Sequence, residues 1–255
     1  MLSEQQRERY ARHLNLEGVG ESGQERLIGS SALVIGAGGL GSPVCLYLAA
    51  AGVGRIGVAD DDVVEETNLQ RQVIHTTARV GIAKVDSAAE SMRALNPSVT
   101  VEPHRMRVDA SVIDALIARY DVVIDASDNV ATKYLVNDAC VRAGKPLVHA
   151  GVVAFTGQVM TILPGQGACY RCLFRDEPPA GSVPTCKQVG VLGAVVGVIG
   201  SLQAVEAIKL LAGVGEPLVG RLLTVDALTM AVRTVPLPGP SADCPVCGGR
   251  QTVAD

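Results

Sequence analysis

Two Cys-x-x-Cys pairs carry some of the clearest chemistry in this chain. They are Cys169-Tyr-Arg-Cys172 and Cys244-Pro-Val-Cys247. Each pair puts two thiolates on one tight turn, and two such turns complete a closed tetrahedral Zn²⁺ site. Cytosolic thiols stay reduced, so a metal is favoured over disulfides, and reduced thiols in two turns are the alternative. Of the remaining cysteines, Cys45 and Cys140 lie in apolar helical segments and are expected in the core, whereas Cys186 fits neither group.

A glycine-rich loop, Gly36-Ala-Gly38-Gly39-Leu40-Gly41, follows the apolar strand Ala32–Ile35 and opens the helix Leu40–Ala51. In that setting the glycines let the backbone approach phosphates, and the N–H groups of the helix N-terminus face the anion. Asp60 ends the next strand, where a carboxylate can accept hydrogen bonds from ribose hydroxyls. The pattern predicts a nucleotide site that fits NAD as well as ATP. A glycine run that only packs a helix is the simpler alternative.

Charged side chains beyond the loop favour a nucleoside triphosphate. Adenylyl or phosphoryl chemistry requires cations on the phosphates and a carboxylate for Mg²⁺, whereas hydride transfer does not. Loops at the carboxyl ends of parallel strands converge on the ligand of a doubly wound fold. We therefore expect Asp60, Arg71, Lys84 and Asp128 to meet around one triphosphate, although each alone would be a solvated surface charge.

Strands and helices alternate through the first 150 residues, after two N-terminal helices at 3–14 and 23–27. This rhythm predicts an α/β fold with a doubly wound, Rossmann-like, mainly parallel sheet. The predicted strands are 32–35, 55–59, 99–102, 122–125 and 146–149, and the helices between them are 40–51, 84–95, 112–119 and 131–143.

The rhythm changes after Ala150. Residues 157–163 alternate as an antiparallel strand does, and 221–225 and 231–235 could pair with them. Residues 174–188 are rich in proline and glycine and predict a crossover loop. We expect a single adenylation domain over 1–255, with N-terminal helices at 1–28, a nucleotide-binding half at 29–150 and a carrier-binding half at 151–255.

Composition excludes several classes of protein. With 48% hydrophobic and 19% charged residues, the chain has a globular balance, and its net charge of −4 gives no reason to expect a nucleic-acid partner. The apolar run Val189–Leu202 is too short to span a bilayer. It continues as an amphipathic helix on which Glu206 and Lys209 are expected to form a solvated face. We expect a cytoplasmic protein without a secretory leader, because the first ten residues are charged.

The motifs together are similar to those of the ThiF/MoeB/HesA family of adenylating enzymes, which activate ubiquitin-like proteins. The resemblance is greatest to bacterial adenylyltransferases for the sulfur carriers of molybdopterin synthase and the thiamine pathway. It covers nearly the whole chain. The matching residues are Arg9-Tyr-Ala-Arg12-His13, Gly36–Gly41, Asp60-Asp-Asp62, Asn68-Leu-Gln-Arg71-Gln72, Lys84, Asp125-Ala-Ser-Asp128-Asn129, both cysteine pairs and Pro184-Thr-Cys186.

The resemblance implies a reaction in which the C-terminal glycine carboxylate of a small carrier ending in Gly-Gly attacks the α-phosphate of ATP·Mg²⁺. An acyl-adenylate forms and pyrophosphate leaves. By the same resemblance Arg71 and Lys84 stabilise the polyphosphate and Asp128 holds Mg²⁺. The implied ATP-binding residues are Gly36, Gly38, Gly39, Leu40, Gly41, Asp60, Asp62, Asn68, Arg71, Gln72, Lys84, Asp128 and Asn129.

Three further expectations come from the resemblance. Arg12 matches an arginine that family members insert into the ATP site of a partner subunit, which implies a homodimer. Cys186 matches the region of the conjugating cysteine in relatives that bind their carrier covalently; a spectator thiol is the alternative. Because no rhodanese-like extension follows Asp255, we expect a separate sulfur donor.

A non-catalytic nucleotide sensor or scaffold, a dinucleotide-binding domain stapled by zinc, is the competing hypothesis. A preference for NAD over ATP would favour it. The residues do not distinguish the molybdenum-cofactor, thiamine, cysteine and tRNA-thiolation pathways.

Overall fold

One eight-stranded sheet organises the protein, in the strand order β3-β2-β1-β4-β5-β6-β7-β8. A computed structural model describes residues 1–179, 181–183 and 186–248, without the side chains of Cys186 and Lys187. The strands are β1 (Ser31–Ile35), β2 (Arg55–Asp60), β3 (Thr100–Arg105), β4 (Val122–Asp125), β5 (Leu147–Val153), β6 (Thr156–Ile162), β7 (Arg221–Asp226) and β8 (Ala231–Pro236).

Helices connect and cover these strands. They are α1 (Glu4–Arg9), α2 (Ala11–Leu14), α3 (Gly20–Gly29), α4 (Gly41–Ala51), α5 (Lys84–Leu95), α6 (Ile113–Ile117), α7 (Val130–Ala143), α8 (Tyr170–Leu173), α9 (Cys186–Val189) and α10 (Gly193–Ala212). Two single-turn 3-10 helices, Glu66–Asn68 and Thr77–Arg79, lie between β2 and α5.

The predicted fold class is confirmed. Strands β1 to β5 pair in parallel, and β5 to β8 continue the same sheet in antiparallel fashion. One hydrophobic core joins the sheet to α4, α5 and α10, and a second joins it to α6, α7 and α8. Covering both faces explains why the central strands are mostly apolar, as in β1, where all five residues are buried and four are apolar.

Several predicted boundaries shift. The helix expected over 3–14 breaks at Tyr10, whose buried hydroxyl accepts a 2.9 Å hydrogen bond from Nδ2 of Asn96. The predicted crossover loop 174–188 ends in the short helix α9, and α10 begins only at Gly193. The strand at 231–235 pairs with β7 and not directly with the strand at 157–163.

The expectation that Glu206 and Lys209 form a solvated face is wrong. Glu206 is only 3% exposed, and its Oε2 accepts hydrogen bonds from Thr161 Oγ1 at 2.5 Å and from the Leu218 amide at 2.6 Å. Lys209 forms an ion pair with the same carboxylate. A buried carboxylate requires such partners, and here they fasten the connection before β7 to α10.

Helix α10 is long and apolar enough to meet the length and hydropathy criteria for a membrane span. It instead packs along β5 and β6 and against α4. It also buries two polar side chains, Gln203 and Glu206, both of which form hydrogen bonds to the sheet or its connections. These contacts identify α10 as a core helix of the α/β fold.

Candidate functional site

The glycine-rich loop between β1 and α4 presses against the loop that follows β4. Gly36 has a φ of 99°, and a Cβ there would lie 2.7 Å from the carbonyl oxygen of Ala126. A Cβ on Gly41 would lie 2.0 Å from the carbonyl oxygen of Gly36. Only glycine fits these two positions. The two loops therefore form one backbone-lined surface at the carboxyl ends of β1 and β4, where doubly wound folds bind ligands.

Asp60 ties the end of β2 to this loop. Its Oδ2 accepts a hydrogen bond from the amide of Ala37 at 2.8 Å, and its Oδ1 accepts one from the amide of Asp62 at 2.9 Å. A carboxylate has about four lone-pair sites, so both oxygens retain capacity to accept from a hydroxyl group. Asp60 thus occupies the expected ribose-binding position and also shapes the loop.

Lys84 and Asp62 form an ion pair at the first turn of α5. The Lys84 ammonium lies 2.7 Å from Oδ2 of Asp62, and the Lys84 amide donates to the Asp62 carbonyl at 3.0 Å. Lys84 is 6% exposed, whereas the Asp62 side chain is 66% exposed. The buried cation is therefore balanced by a solvent-facing carboxylate, an arrangement that a polyphosphate could complete or replace.

The segment Asn68–Gln72 lies beside the glycines. A Cβ on Gly39 would lie 3.6 Å from Cγ of Arg71. A Cβ on Gly38 would lie 3.6 Å from Nε2 of Gln72. Arg71 Nη1 donates to the Thr67 carbonyl at 3.1 Å, and Asn68 caps its 3-10 turn by accepting from the Glu65 amide. The Oε1 atom of buried Gln72 has no hydrogen-bond partner among the described residues. That unpaired acceptor at the loop favours a polar ligand.

Asp128 and Asn129 lie exposed at the carboxyl end of β4. Asn129 caps α7 by accepting from the Thr132 amide at 2.9 Å. Asp128 directly follows Ser127, whose amide nitrogen lies 3.3 Å from the position of a Gly36 Cβ. Its carboxylate therefore belongs to the loop that borders the glycines.

Arg12 is not brought to this site within one chain. It is exposed on α2, and no hydrogen bond or ion pair among the described residues joins it to the glycine loop. Of the predicted site residues it is the one whose role would depend on another subunit.

His75 is a site residue that the sequence pattern does not indicate. Its Nε2 lies 2.9 Å from the carbonyl oxygen of Ala37, and its Nδ1 lies 2.8 Å from Oγ of Ser87. It thereby joins the glycine loop to α5. Burial, reinforced by Lys84 and Arg79, lowers the pKa of His75. The neutral ring then donates from Nε2 to Ala37 and accepts from Ser87.

Asp125 is a second site residue whose role the sequence does not indicate. It belongs to the motif Asp125–Asn129, but the resemblance implies no function for it. It is fully buried at the end of β4. Burial acts to raise its pKa, but the Lys133 ammonium and a hydrogen bond from His149 hold that pKa well below its usual range. Nothing in the one-dimensional pattern brings positions 125, 133 and 149 together.

The four paired cysteines converge as predicted. The Sγ–Sγ distances are 3.8 Å for Cys169–Cys172, 3.6 Å for Cys169–Cys244 and 3.3 Å for Cys172–Cys247. All four sulfurs lie within 4.8 Å of one another, which is the arrangement of a metal-binding group. Burial and the neighbouring Cys172 raise the pKa of Cys169 to about 12. Burial opposes ionisation of Cys244 too, but amides of Cys247 and Val246 lower its pKa to about 7.

Comparison with known proteins agrees with this geometry. The model of the ThiF family matches residues 10–246. The SAMP-activating enzyme E1 of Haloferax volcanii is 52% identical over 247 residues, covering 97% of this chain and 91% of that protein. The sulfur carrier protein adenylyltransferase of Thermus thermophilus is 48% identical over 250 residues, covering 96% and 92%.

A longer relative and a solved structure extend the comparison. The adenylyltransferase and sulfurtransferase MOCS3 of Sus scrofa is 50% identical over 254 residues; these are 100% of this chain but 56% of that protein, so the chain spans about half of it. The crystal structure of E. coli MccB with MccA-N7isoASN matches with a TM-score of 0.83 at 25% identity, covering 95% of this chain and 75% of MccB.

His75 predicts a pH dependence of stability. Because its pKa is lower folded than unfolded, its contribution is complete above the unfolded value of 6.5 and is lost as pH falls below it. We expect the wild-type free energy of unfolding to fall below pH 6.5 by up to about 1.4 kcal/mol per pH unit more than that of His75→Gln. Urea unfolding at pH 7.5 and 5.5 measures this. The comparison cancels the contributions of His104 and His149, and equal pH dependence in the two proteins would contradict the assignment.

Proposed function

The chain belongs to the ThiF family, and from this premise we propose that it adenylates the C-terminal glycine of a small ubiquitin-like sulfur-carrier protein. The carrier would be of the molybdopterin-synthase small-subunit or thiamine-pathway type. The observation that carries the proposal is the backbone contact between the glycine loop and the Asp128 loop, which brings the loop amides and an exposed carboxylate to one edge of the sheet. The names of the adenylyltransferases from Thermus and Sus scrofa support it.

The chemistry requires positioning and charge neutralisation more than acid–base catalysis. A carrier carboxylate is already ionised, so its attack on the α-phosphate of ATP needs no general base. Adenylation converts a carboxylate oxygen into a good leaving group, and pyrophosphate departs. Glycine amides, Arg71 and Lys84 would stabilise the negative charge that develops on the phosphates.

The exposed carboxylate of Asp128 fits the hard-oxygen ligation that Mg²⁺ prefers. Bound there, Mg²⁺ would neutralise phosphate charge and orient the triphosphate. Asp60 would hold the ribose, and Asp62 and Asn68 would complete the pocket. Gln72 Oε1, buried and unpaired within the part of the chain that the structure describes, would accept from the ligand or from an ordered water.

The assembly follows from the same premise. Arg12, exposed on α2, would enter the ATP site of a second subunit, so we propose a homodimer. Sulfur would come from a separate donor protein that attacks the adenylated carrier. The reaction would take place in the cytoplasm.

We further propose that the cysteine cluster binds Zn²⁺. Four sulfurs with no nitrogen or oxygen ligand among them match a closed structural site with no position for a substrate. Two of them come from the start of α8 and two from the segment after β8, so the metal would join parts of the chain that are distant in sequence. A Zn²⁺ ion would displace the thiol proton that burial retains on Cys169.

Adenylation predicts ATP–pyrophosphate exchange that depends on a carrier with a free C-terminal glycine. Asp128→Ala should abolish exchange, because the triphosphate charge is then poorly compensated. Arg71→Ala and Lys84→Ala should each reduce its rate about a hundredfold or more. Asp114→Ala, the same change on an exposed carboxylate of α6, is the control and should exchange normally. Wild-type exchange by Asp128→Ala would overturn this assignment.

Zinc binding predicts one Zn²⁺ per chain in the purified protein, measured by elemental analysis. In the native protein the four clustered thiols should resist thiol reagents until a strong chelator removes the metal. Cys244→Ser should lose zinc, whereas Cys186→Ala, a cysteine change outside the cluster, should retain it. Protein without zinc whose thiols all react freely would contradict the proposal.

Cys186 would bind the carrier covalently: its thiolate would attack the acyl carbon of the adenylate and form a thioester as AMP leaves. Its backbone opens α9 at the end of the crossover loop, while its side chain and Pro184-Thr185 lie outside the described residues. The adjacent Lys187 would favour the nucleophilic thiolate. Cys186→Ala should retain pyrophosphate exchange. It should lose any covalent carrier adduct that a thiol reductant cleaves, and it should transfer sulfur more slowly. Carrier thiocarboxylate formed at the wild-type rate by this variant would exclude the role.

A further inference from the structure

The loop that carries Asp128 is tied to a buried ionic cluster directly beneath it. Ser127 donates both its amide, at 3.1 Å, and its hydroxyl, at 2.6 Å, to Oδ1 of Asp125. The other carboxylate oxygen, Oδ2, accepts from Lys133 Nζ at 3.2 Å and from His149 Nδ1 at 2.9 Å. The two oxygens thus have separate partners: Oδ1 binds the loop, and Oδ2 binds two residues of the core.

The cluster also fixes the far end of the loop. Lys133 lies on α7, the helix that starts directly after Asp128 and Asn129, and it also donates to the carbonyl of Ala150 at 2.7 Å. Asp125 is anchored from the opposite face of the sheet as well, because Gln203 of α10 donates to its backbone carbonyl at 2.8 Å. Both ends of the segment Ala126–Asn129 are therefore fixed to the same buried carboxylate.

Stability does not explain this choice of residues. Asp125 is 0%, His149 1% and Lys133 9% exposed. Removing two such charges from water costs about as much as their attraction returns, so an apolar pair of similar volume would commonly serve a core as well. What an apolar pair could not do is accept the two hydrogen bonds from Ser127.

We propose that Asp125 is a positioning residue: held by Lys133 and His149, it fixes the Ser127–Asp128 loop so that Asp128 can receive a divalent cation. Cation binding by Asp128 is part of the proposed function, and this inference rests on it. The support that Asp125 gives to the Ser127–Asp128 loop needs no bound nucleotide or metal.

Two double variants separate positioning from charge balance. Asp125→Asn with Lys133→Met removes both charges but leaves a side-chain oxygen that can accept from Ser127. Asp125→Leu with Lys133→Met removes the same charges and the acceptor too. Both neutralise the core equally, and thermal unfolding checks that the two fold with comparable stability.

Amide hydrogen exchange of Ser127, without nucleotide or metal, is the first measurement. We expect exchange about tenfold faster in the Leu/Met protein than in the Asn/Met protein, because only the former leaves the Ser127 donors without an acceptor. Equal exchange in the two proteins would overturn the proposal.

Binding of Mn²⁺, followed by electron paramagnetic resonance with the α,β-methylene analogue of ATP present, is the second measurement. The Leu/Met protein should bind Mn²⁺ about tenfold more weakly than wild type, and the Asn/Met protein within about twofold of wild type. Asp128→Ala should also weaken binding. Should Asp128→Ala bind normally, the proposed function fails while hydrogen exchange still decides the positioning role. Weakened binding in Asp128→Ala with wild-type binding in the Leu/Met protein would overturn the inference.

If the Leu/Met protein does not fold, Ser127→Ala replaces it. That variant loses one of the two donors and leaves the carboxylate and its charge partners in place. Its Mn²⁺ affinity should fall about fivefold, an effect of the size of one ordinary intramolecular hydrogen bond. Wild-type affinity would overturn the proposal.

Discussion

The site depends on one close approach, in which the loop after β1 and the loop after β4 meet backbone to backbone. A side chain at Gly36 or Gly41 would collide with main-chain atoms that cannot move without disrupting the sheet. The contact therefore fixes where the amides of the first turn of α4 lie relative to Asp128. Asp60, Arg71 and His75 contact this loop, and Lys84 pairs with Asp62 next to them.

Buried charged side chains in the two cores stabilise this arrangement. Asp125 supports the loop after β4 from one core, and Glu206 fastens α10 to the antiparallel half of the sheet in the other. Helix α10 in turn packs against the glycine loop through Val196, which lies beside Gly39. The parallel half thus carries the loops of the candidate site, and the antiparallel half extends the same sheet without a break. A carrier bound to the second half, as we propose, would lie on the same sheet as the proposed nucleotide site.

Part of the fold and of the candidate site could be predicted from the sequence, because the patterns that indicate them are local. The strand–glycine–helix order located the loop, ligand spacing located the cysteine cluster, and alternating apolar segments predicted the change from parallel to antiparallel pairing. Helix α5 and strand β4 have the bounds that their residues predicted. Each of these signals lies within a short stretch of chain.

What could not be predicted depends on contacts between distant segments. Glu206 resembles a surface residue by its spacing from Lys209, and only the positions of Thr161 and Leu218 make it a core acceptor. His75 gains its role from Ala37, 38 residues away in the chain. Asp125 gains its role from His149, 24 residues away, together with Lys133 on the following helix.

The central claim is that a carrier carboxylate attacks the α-phosphate of ATP at this surface, and oxygen labelling tests it most directly. A carrier with ¹⁸O in its C-terminal carboxylate would be incubated with the protein and ATP, and the adenylate trapped with hydroxylamine. Attack by hydroxylamine at the acyl carbon releases AMP with the oxygen that came from the carboxylate. We expect one ¹⁸O atom in each AMP, detected by mass spectrometry. AMP or ADP that forms without the label would show that water, and not the carrier, attacks the nucleotide, and would exclude the proposed reaction.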